Sequence, residues 1–148
     1  MTVQGDQSIS WIPGPEMSAH RAGHQAAVFK GVLWVVDGKT RTTEYLDPDR
    51  KLWVRGPHLV AKRKHFRVAV CGDRLWVVGG MGARDKLPLS STEFLDADAD
   101  TWKTGPSMLV ARGGFGLAVL GWHLWAVGGG GARTGEAVGW RGPIRHWC

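Results

Sequence analysis

The chain is short of tyrosine, cysteine and acidic residues, and it has neither a long apolar run nor a helical pattern. Tyr45 is the single tyrosine among 148 residues, and the only cysteines are Cys71 and Cys148. They lie far apart with no C-x-x-C spacing, so the expectation is two thiols rather than a disulfide, as in a reducing compartment. No apolar stretch approaches the roughly 18 residues of a membrane span. The N-terminal MTVQGDQSIS lacks the basic-then-apolar profile of a secretory signal, and the expected compartment is the cytoplasm or the nucleus. No ten-residue window free of Gly and Pro holds apolar residues at helical spacing, which argues against helices. Thirteen acidic residues face nineteen Lys and Arg, a net charge of +6, so the partners favoured by charge are acidic.

What the chain has in abundance is glycine and tryptophan, and both fall in register. LWVVDG at residues 33–38 returns as LWVVGG at 75–80 and as LWAVGG at 124–129. Trp11-IPGP, Trp53-VRGP and Trp102-KTGP start three units, and Trp140-RGP starts a fourth with one residue deleted. Arg21, Arg63 and Arg112 each lie ten residues after the starting tryptophan. Leu33, Leu75 and Leu124 lie at plus 22, followed by Trp34, Trp76 and Trp125 at plus 23. Seven of the nine tryptophans are placed in this way, which chance does not produce; Trp122 and Trp147 fall outside. TTEYLDPDRKLW at 42–53 matches STEFLDADADTW at 91–102, after a loop that is seven residues longer in the second unit. In the third unit ten residues separate Gly129 from Trp140, so the Thr-Glu-aromatic-Leu-Asp segment is expected to be degenerate or absent there.

Each unit reads as short strands. HQAAVF, FRVAVC and FGLAVL, a turn, then VLWVV, RLWVV and HLWAV are apolar runs bounded by Gly and Asp, the pattern of a hairpin. The TEYLD and TEFLD segments alternate polar and apolar residues and make a third strand with one buried face. The stretch around the repeating tryptophan makes a fourth, ended by Gly-Pro because proline cannot donate to a ladder. Four antiparallel strands per roughly 45 residues form the blade of a β-propeller. The expected organisation is a lead-in at 1–10, units at 11–52, 53–101 and 102–139, and a degenerate tail at 140–148.

At these residues the sequence resembles the kelch-repeat family, in which an Arg precedes the first strand, a diglycine ends the second, an aromatic centres the third and a Trp sits in the fourth. The likeness runs over residues 11–129, with a trace as far as Pro143. It implies an all-β, kelch-type partial β-propeller of about three four-stranded blades and a degenerate fourth start. It also implies a non-catalytic module that binds a protein partner through blade loops, as a substrate adaptor or an actin-binding fragment. The loops that would do so follow the diglycine, at Lys39, Met81 and Gly130, or surround the Arg, at Ala22, Lys64 and Gly113. In adaptor-type relatives the repeated Arg often faces the mouth of the channel and binds acidic peptides. The candidate contact set is therefore Arg21, Arg63, Arg112, Lys39, Lys64 and Met81, with packing as the competing role for the arginines. Such relatives commonly place Tyr or Ser at contact positions, whereas the one Tyr of this chain, Tyr45, lies in a strand, so no particular partner carries over.

A reading from another class rests on AKRKHFR at residues 61–67, where Lys62, Arg63, Lys64 and Arg67 flank Phe66. Basic residues with an aromatic can grip phosphates and stack a base, so nucleic acid or another polyanion is the alternative partner. Phe66, however, holds the repeat position of His24 and Phe115, which points to packing. Enzymatic readings are weaker. His20 and His24 have helical ligand spacing where no helix is expected. GGGGARTG at 128–135 lacks the Lys-Ser/Thr of a phosphate loop. Asp96, Asp98 and Asp100 read as turn residues. No catalytic set, cofactor or metal site is expected.

Two expectations remain. Kelch propellers close with about five to seven blades, so this chain needs neighbours: further blades of a longer protein, which is the favoured case, or self-association. Asp37 breaks the diglycine in the first copy, and its replacement by Gly is expected to raise the melting temperature slightly.

Overall fold

The computed structural model describes residues 9–98, 100–130 and 135–139. Most of the lead-in, loop residues 131–134 and the tail at 140–148, with Trp140, Trp147 and Cys148, lie outside the described residues. The described residues are all β, without a helix.

The first blade is an antiparallel sheet of four strands in chain order: β1 (Gln25–Phe29), β2 (Val32–Asp37), β3 (Thr42–Asp47) and β4 (Leu52–Arg55). Lys30 and Gly31 form its first turn with φ of 53° and 73°, the backbone twist that two-residue hairpins favour. Next comes a short pair that bridges loops, β5 (Arg63–Lys64) with β8 (Met81–Gly82). The second blade is built from β6 (Arg67–Cys71), β7 (Arg74–Val78), β9 (Thr92–Asp96) and β10 (Lys103–Thr104). The third has three described strands, β11 (Gly116–Leu120), β12 (His123–Val127) and β13 (Gly135–Gly139). Trp53 thus belongs to the closing strand of the first blade, and Trp102 directly precedes that of the second.

β13 is the degenerate copy of the third-strand segment. GEAVG is the third strand of its blade, with Ala126 opposite Glu136 where the earlier blades set Val35 opposite Glu44 and Val77 opposite Glu93. Only the glutamate of the Thr-Glu-aromatic-Leu-Asp pattern is kept, and that one residue suffices because its carboxylate has a partner, described below.

The innermost strands of successive blades lie side by side, β1 against β6 and β6 against β11, so the sheets fan around one axis. The wedges between them hold the core. Between blades 1 and 2 pack Phe29, Val36, Leu59, Phe66, Leu75, Val77, Leu95 and Trp102. Between blades 2 and 3 pack Trp76, Val78, Phe115, Leu124 and Ala126. The Trp102 indole donates to the Pro57 carbonyl at 3.1 Å, which satisfies its one polar atom inside the wedge.

Candidate functional site

The repeated arginines are sealed inside the blades. Arg63 has no exposed surface and donates to the carbonyls of Gly79 at 2.7 Å and Ser91 at 3.0 Å. Its other nitrogen pairs with Glu93 at 2.7 Å, and that carboxylate also accepts from the Val60 and Ala61 amides at 2.5 and 3.3 Å. Arg112 repeats the arrangement: its side chain is 0% exposed, it donates to Gly128 O at 2.7 Å, and it pairs with Glu136 at 3.5 Å. Glu136 in turn accepts from the Val110 amide at 3.2 Å. Arg21, 5% exposed, pairs with Glu44 at 3.0 Å, and Ser18 donates to the same carboxylate. In each blade one Arg–Glu pair therefore ties the entering connection to the third strand. Multiple charge-assisted bonds offset the desolvation of both ions.

These contacts favour the competing packing role for Arg63 and Arg112, which have no exposed area and whose charge is met by glutamate; the Arg21 side chain, paired in the same way, keeps 5% exposure. The sequence signal for the pairing was the Thr-Glu of the third strand, repeated with the Arg but not read as its counterion. Phe66 is likewise buried, so its ring presents no face on which a base could stack, while His65 beside it is exposed.

Asp37 takes part in the same scheme. Its carboxylate accepts from Arg21 at 3.3 Å and from the amides of Lys39 at 2.9 Å and Thr40 at 3.3 Å. Where Arg63 and Arg112 use the carbonyls of Gly79 and Gly128, Arg21 uses a side chain. Gly79 and Gly128 have φ of 56° and 72°, whereas Asp37 is not among the residues with positive φ. The expectation that Asp37→Gly stabilises is thus reversed. Removing three bonds accepted by a carboxylate, one of them from a guanidinium, is expected to cost about 1–3 kcal/mol, read as a lower urea midpoint.

The remaining candidates gather at one end of the fan. β5 sets Lys64 opposite Met81 of β8. Arg63 N donates to Gly38 O, one residue before Lys39. Gly80 N donates to Arg112 O, Gly114 N to His65 O and Gly130 N to Gly113 O, so the loops of all three blades are joined by main-chain bonds. Gly80, with φ of 104°, permits this approach, since a side chain there would meet the Lys64 carbonyl and the Cβ and backbone nitrogen of Phe66. On this rim Lys39, Lys64 and His65 are exposed and Met81 is half-buried. The loop after β8 adds exposed Arg84 and Lys86, and Asp85 beside them turns one carboxylate oxygen to the Leu87 amide at 3.1 Å.

The kelch motif matches residues 62–109, which run from the sealed Arg63 through the diglycine and β9 to the Gly-Pro after Trp102. That match shows a kelch motif in the second unit. The fold of the chain is similar to that of YjhT, a kelch-type propeller, with a TM-score of 0.69 and 16% identity over 78% of this chain. The chain spans 36% of the length of that structure. No curated protein matches its sequence. Among the described residues no group of three or more His, Cys, Asp or Glu side chains could hold a metal ion, and no helix is long and apolar enough to cross a membrane. Kelch repeats commonly serve protein–protein interaction, and the rim is where this scaffold presents its loops.

Proposed function

We propose that this kelch arc is a non-catalytic protein-binding module whose rim takes an acidic segment of a protein partner. The observation that carries the reading is the division of charge. The three buried arginines are neutralised by Glu44, Glu93 and Glu136, while Lys39, Lys64, Arg84 and Lys86 stand exposed on loops held by main-chain bonds. Loops fixed in this way lose little entropy on binding, and their cations steer an acidic partner into place. Met81 supplies an apolar, adaptable contact at the centre of the cationic group. Recruitment of a ligase substrate and attachment to actin are two roles that such a rim could serve, and both need a partner with clustered carboxylates.

The reading is tested by fluorescence anisotropy with a labelled Asp/Glu-rich peptide and its Asn/Gln counterpart. The acidic peptide should bind and the neutral one should not. Lys39→Glu/Lys64→Glu should weaken binding about tenfold, near 1.4 kcal/mol, with most of the loss in association rate and a steep dependence on salt. Equal affinity for both peptides, or an unaffected double variant, would discard the acidic partner. Tighter, salt-dependent capture of a single-stranded oligonucleotide would favour the polyanion alternative instead.

A further inference from the structure

Blade 3 is one strand short among the described residues, and a socket stands open beside it. A cavity of about 240 Å³ between blades 2 and 3 is lined by Val78, Met108, Leu124, Glu136 and Val138, with Pro106 at its side. One wedge earlier the counterparts Val36, Leu59, Leu75 and Leu95 pack with the Trp102 indole, whose N–H is accepted by Pro57 O. Pro57 O also takes the Thr43 hydroxyl at 2.7 Å, and Pro106 O takes the Thr92 hydroxyl at 2.8 Å. A carbonyl oxygen accepts two donors, so the cavity repeats the surroundings of an indole together with its acceptor.

The sequence spacing of Trp140, which starts the fourth unit, differs from that of the earlier closing tryptophans. Leu46 pairs with Trp53 seven residues on, and the pairing of Lys103 with Phe94 sets Trp102 opposite Leu95, again seven residues on. Trp140 comes two residues after Val138, and a hairpin needs at least about two residues between paired positions. Another tryptophan has the right neighbours. Trp11-IPGP holds the register of Trp53-VRGP and Trp102-KTGP, and Pro15 O accepts the Trp53 indole at 3.0 Å as Pro57 O accepts that of Trp102. Yet Trp11 is 103% exposed, and residues 11–14 belong to no described strand.

The two ends of the arc are also the two halves of a wedge. Leu33 on blade 1 is 37% exposed where its counterpart Leu75 is 0%, and Val127 on blade 3 is 55% exposed where its counterpart Val78 is 2%. The chain makes this kind of contact twice within itself, between blades 1 and 2 and between blades 2 and 3. We infer that two copies of this chain join head to tail. Residues 11–14 of each supply the fourth strand to blade 3 of the other, Trp11 fills the socket, and the open face of blade 1 covers that of blade 3. Three blades per copy close a ring of about six, within the four to eight usual for propellers, and closure after two copies is the commonest symmetry of homo-oligomers. The match to 36% of YjhT leaves room in such a ring for a second arc.

Sedimentation velocity of residues 1–148 over a range of concentrations decides it. The expected species has twice the 16.2 kDa chain mass. Trp11→Ala should weaken the dimer at least about a hundredfold, as loss of a central tryptophan anchor does, while circular dichroism of the dilute protein stays unchanged because Trp11 contributes nothing to the isolated arc. Val127→Glu on the open face should do the same, and Trp122→Ala at the β11–β12 turn should leave the dimer intact. A monomer at about 100 μM, a dimer indifferent to Trp11→Ala, or dimerisation lost through Trp147→Ala instead would overturn the proposal. A monomer would assign the open faces to further blades of a longer chain.

Discussion

Arg63→Met should destabilise the arc by about 3–5 kcal/mol, the cost of stripping one partner from a buried ion pair. The variant leaves Glu93 buried at 2% exposure with two amide donors but no cation, and it frees the Gly79 and Ser91 carbonyls that the guanidinium bridges. Against a total stability of roughly 5–15 kcal/mol for a domain, that loss brings much of the population to unfolding at ambient temperature. Arg63→Glu should be worse, since two carboxylates would then share one buried site. Lys64→Met, one residue along and exposed, should stay within about 0.5 kcal/mol of the parent. Urea unfolding followed by tryptophan fluorescence separates the outcomes. A small loss of stability at Arg63 combined with loss of partner binding would restore the contact role and contradict the sealed geometry.

Substitution of the repeating tryptophans by alanine should give a graded series. Trp102→Ala should cost about 3–5 kcal/mol, because it empties the wedge between blades 1 and 2 and removes the donor to Pro57 O. Trp53→Ala should cost less, about 1–2 kcal/mol, since its indole is only half-buried although it keeps the bond to Pro15 O. Trp11→Ala in the dilute chain should be silent. The same residue type at the same repeat position thus spans the range from core to surface, and only the presence of a neighbouring blade separates the cases. Equal losses at Trp53 and Trp102 would mean that something covers blade 1 in solution.

The Arg63 result also bears on how a repeated charge is to be read. Repetition by itself does not distinguish a residue kept for packing from one kept for binding, since both recur once per blade. The counterion does. Glu44, Glu93 and Glu136 keep step with Arg21, Arg63 and Arg112, at 44 − 21 = 23, 93 − 63 = 30 and 136 − 112 = 24 residues. The irregular middle interval is the longer loop of the second unit. GEAVG keeps its place as a strand in blade 3 despite losing the Thr, the aromatic and the Asp, which fits a glutamate held by its arginine.

By itself the sequence determined the all-β class, the strand order within a unit, the turns and the kelch resemblance. These depend on period-two patterning, on glycine where φ is positive and on tryptophan spacing, all of which are local and additive along the chain. It also showed that three units do not make a ring. What the tertiary structure decided was which charges face water. Arg63 and Lys64 are adjacent and alike in sequence, yet one is enclosed by Glu93 and two carbonyls while the other lies on the rim, because alternate residues of a strand point to opposite sides. Asp37, read from sequence as a flaw in a diglycine, is a ligand of Arg21 from another part of the chain. Pairings of that kind join residues sixteen to thirty positions apart, and no local pattern states them; they exist only once the blades bring the connection, the second strand and the third strand into contact.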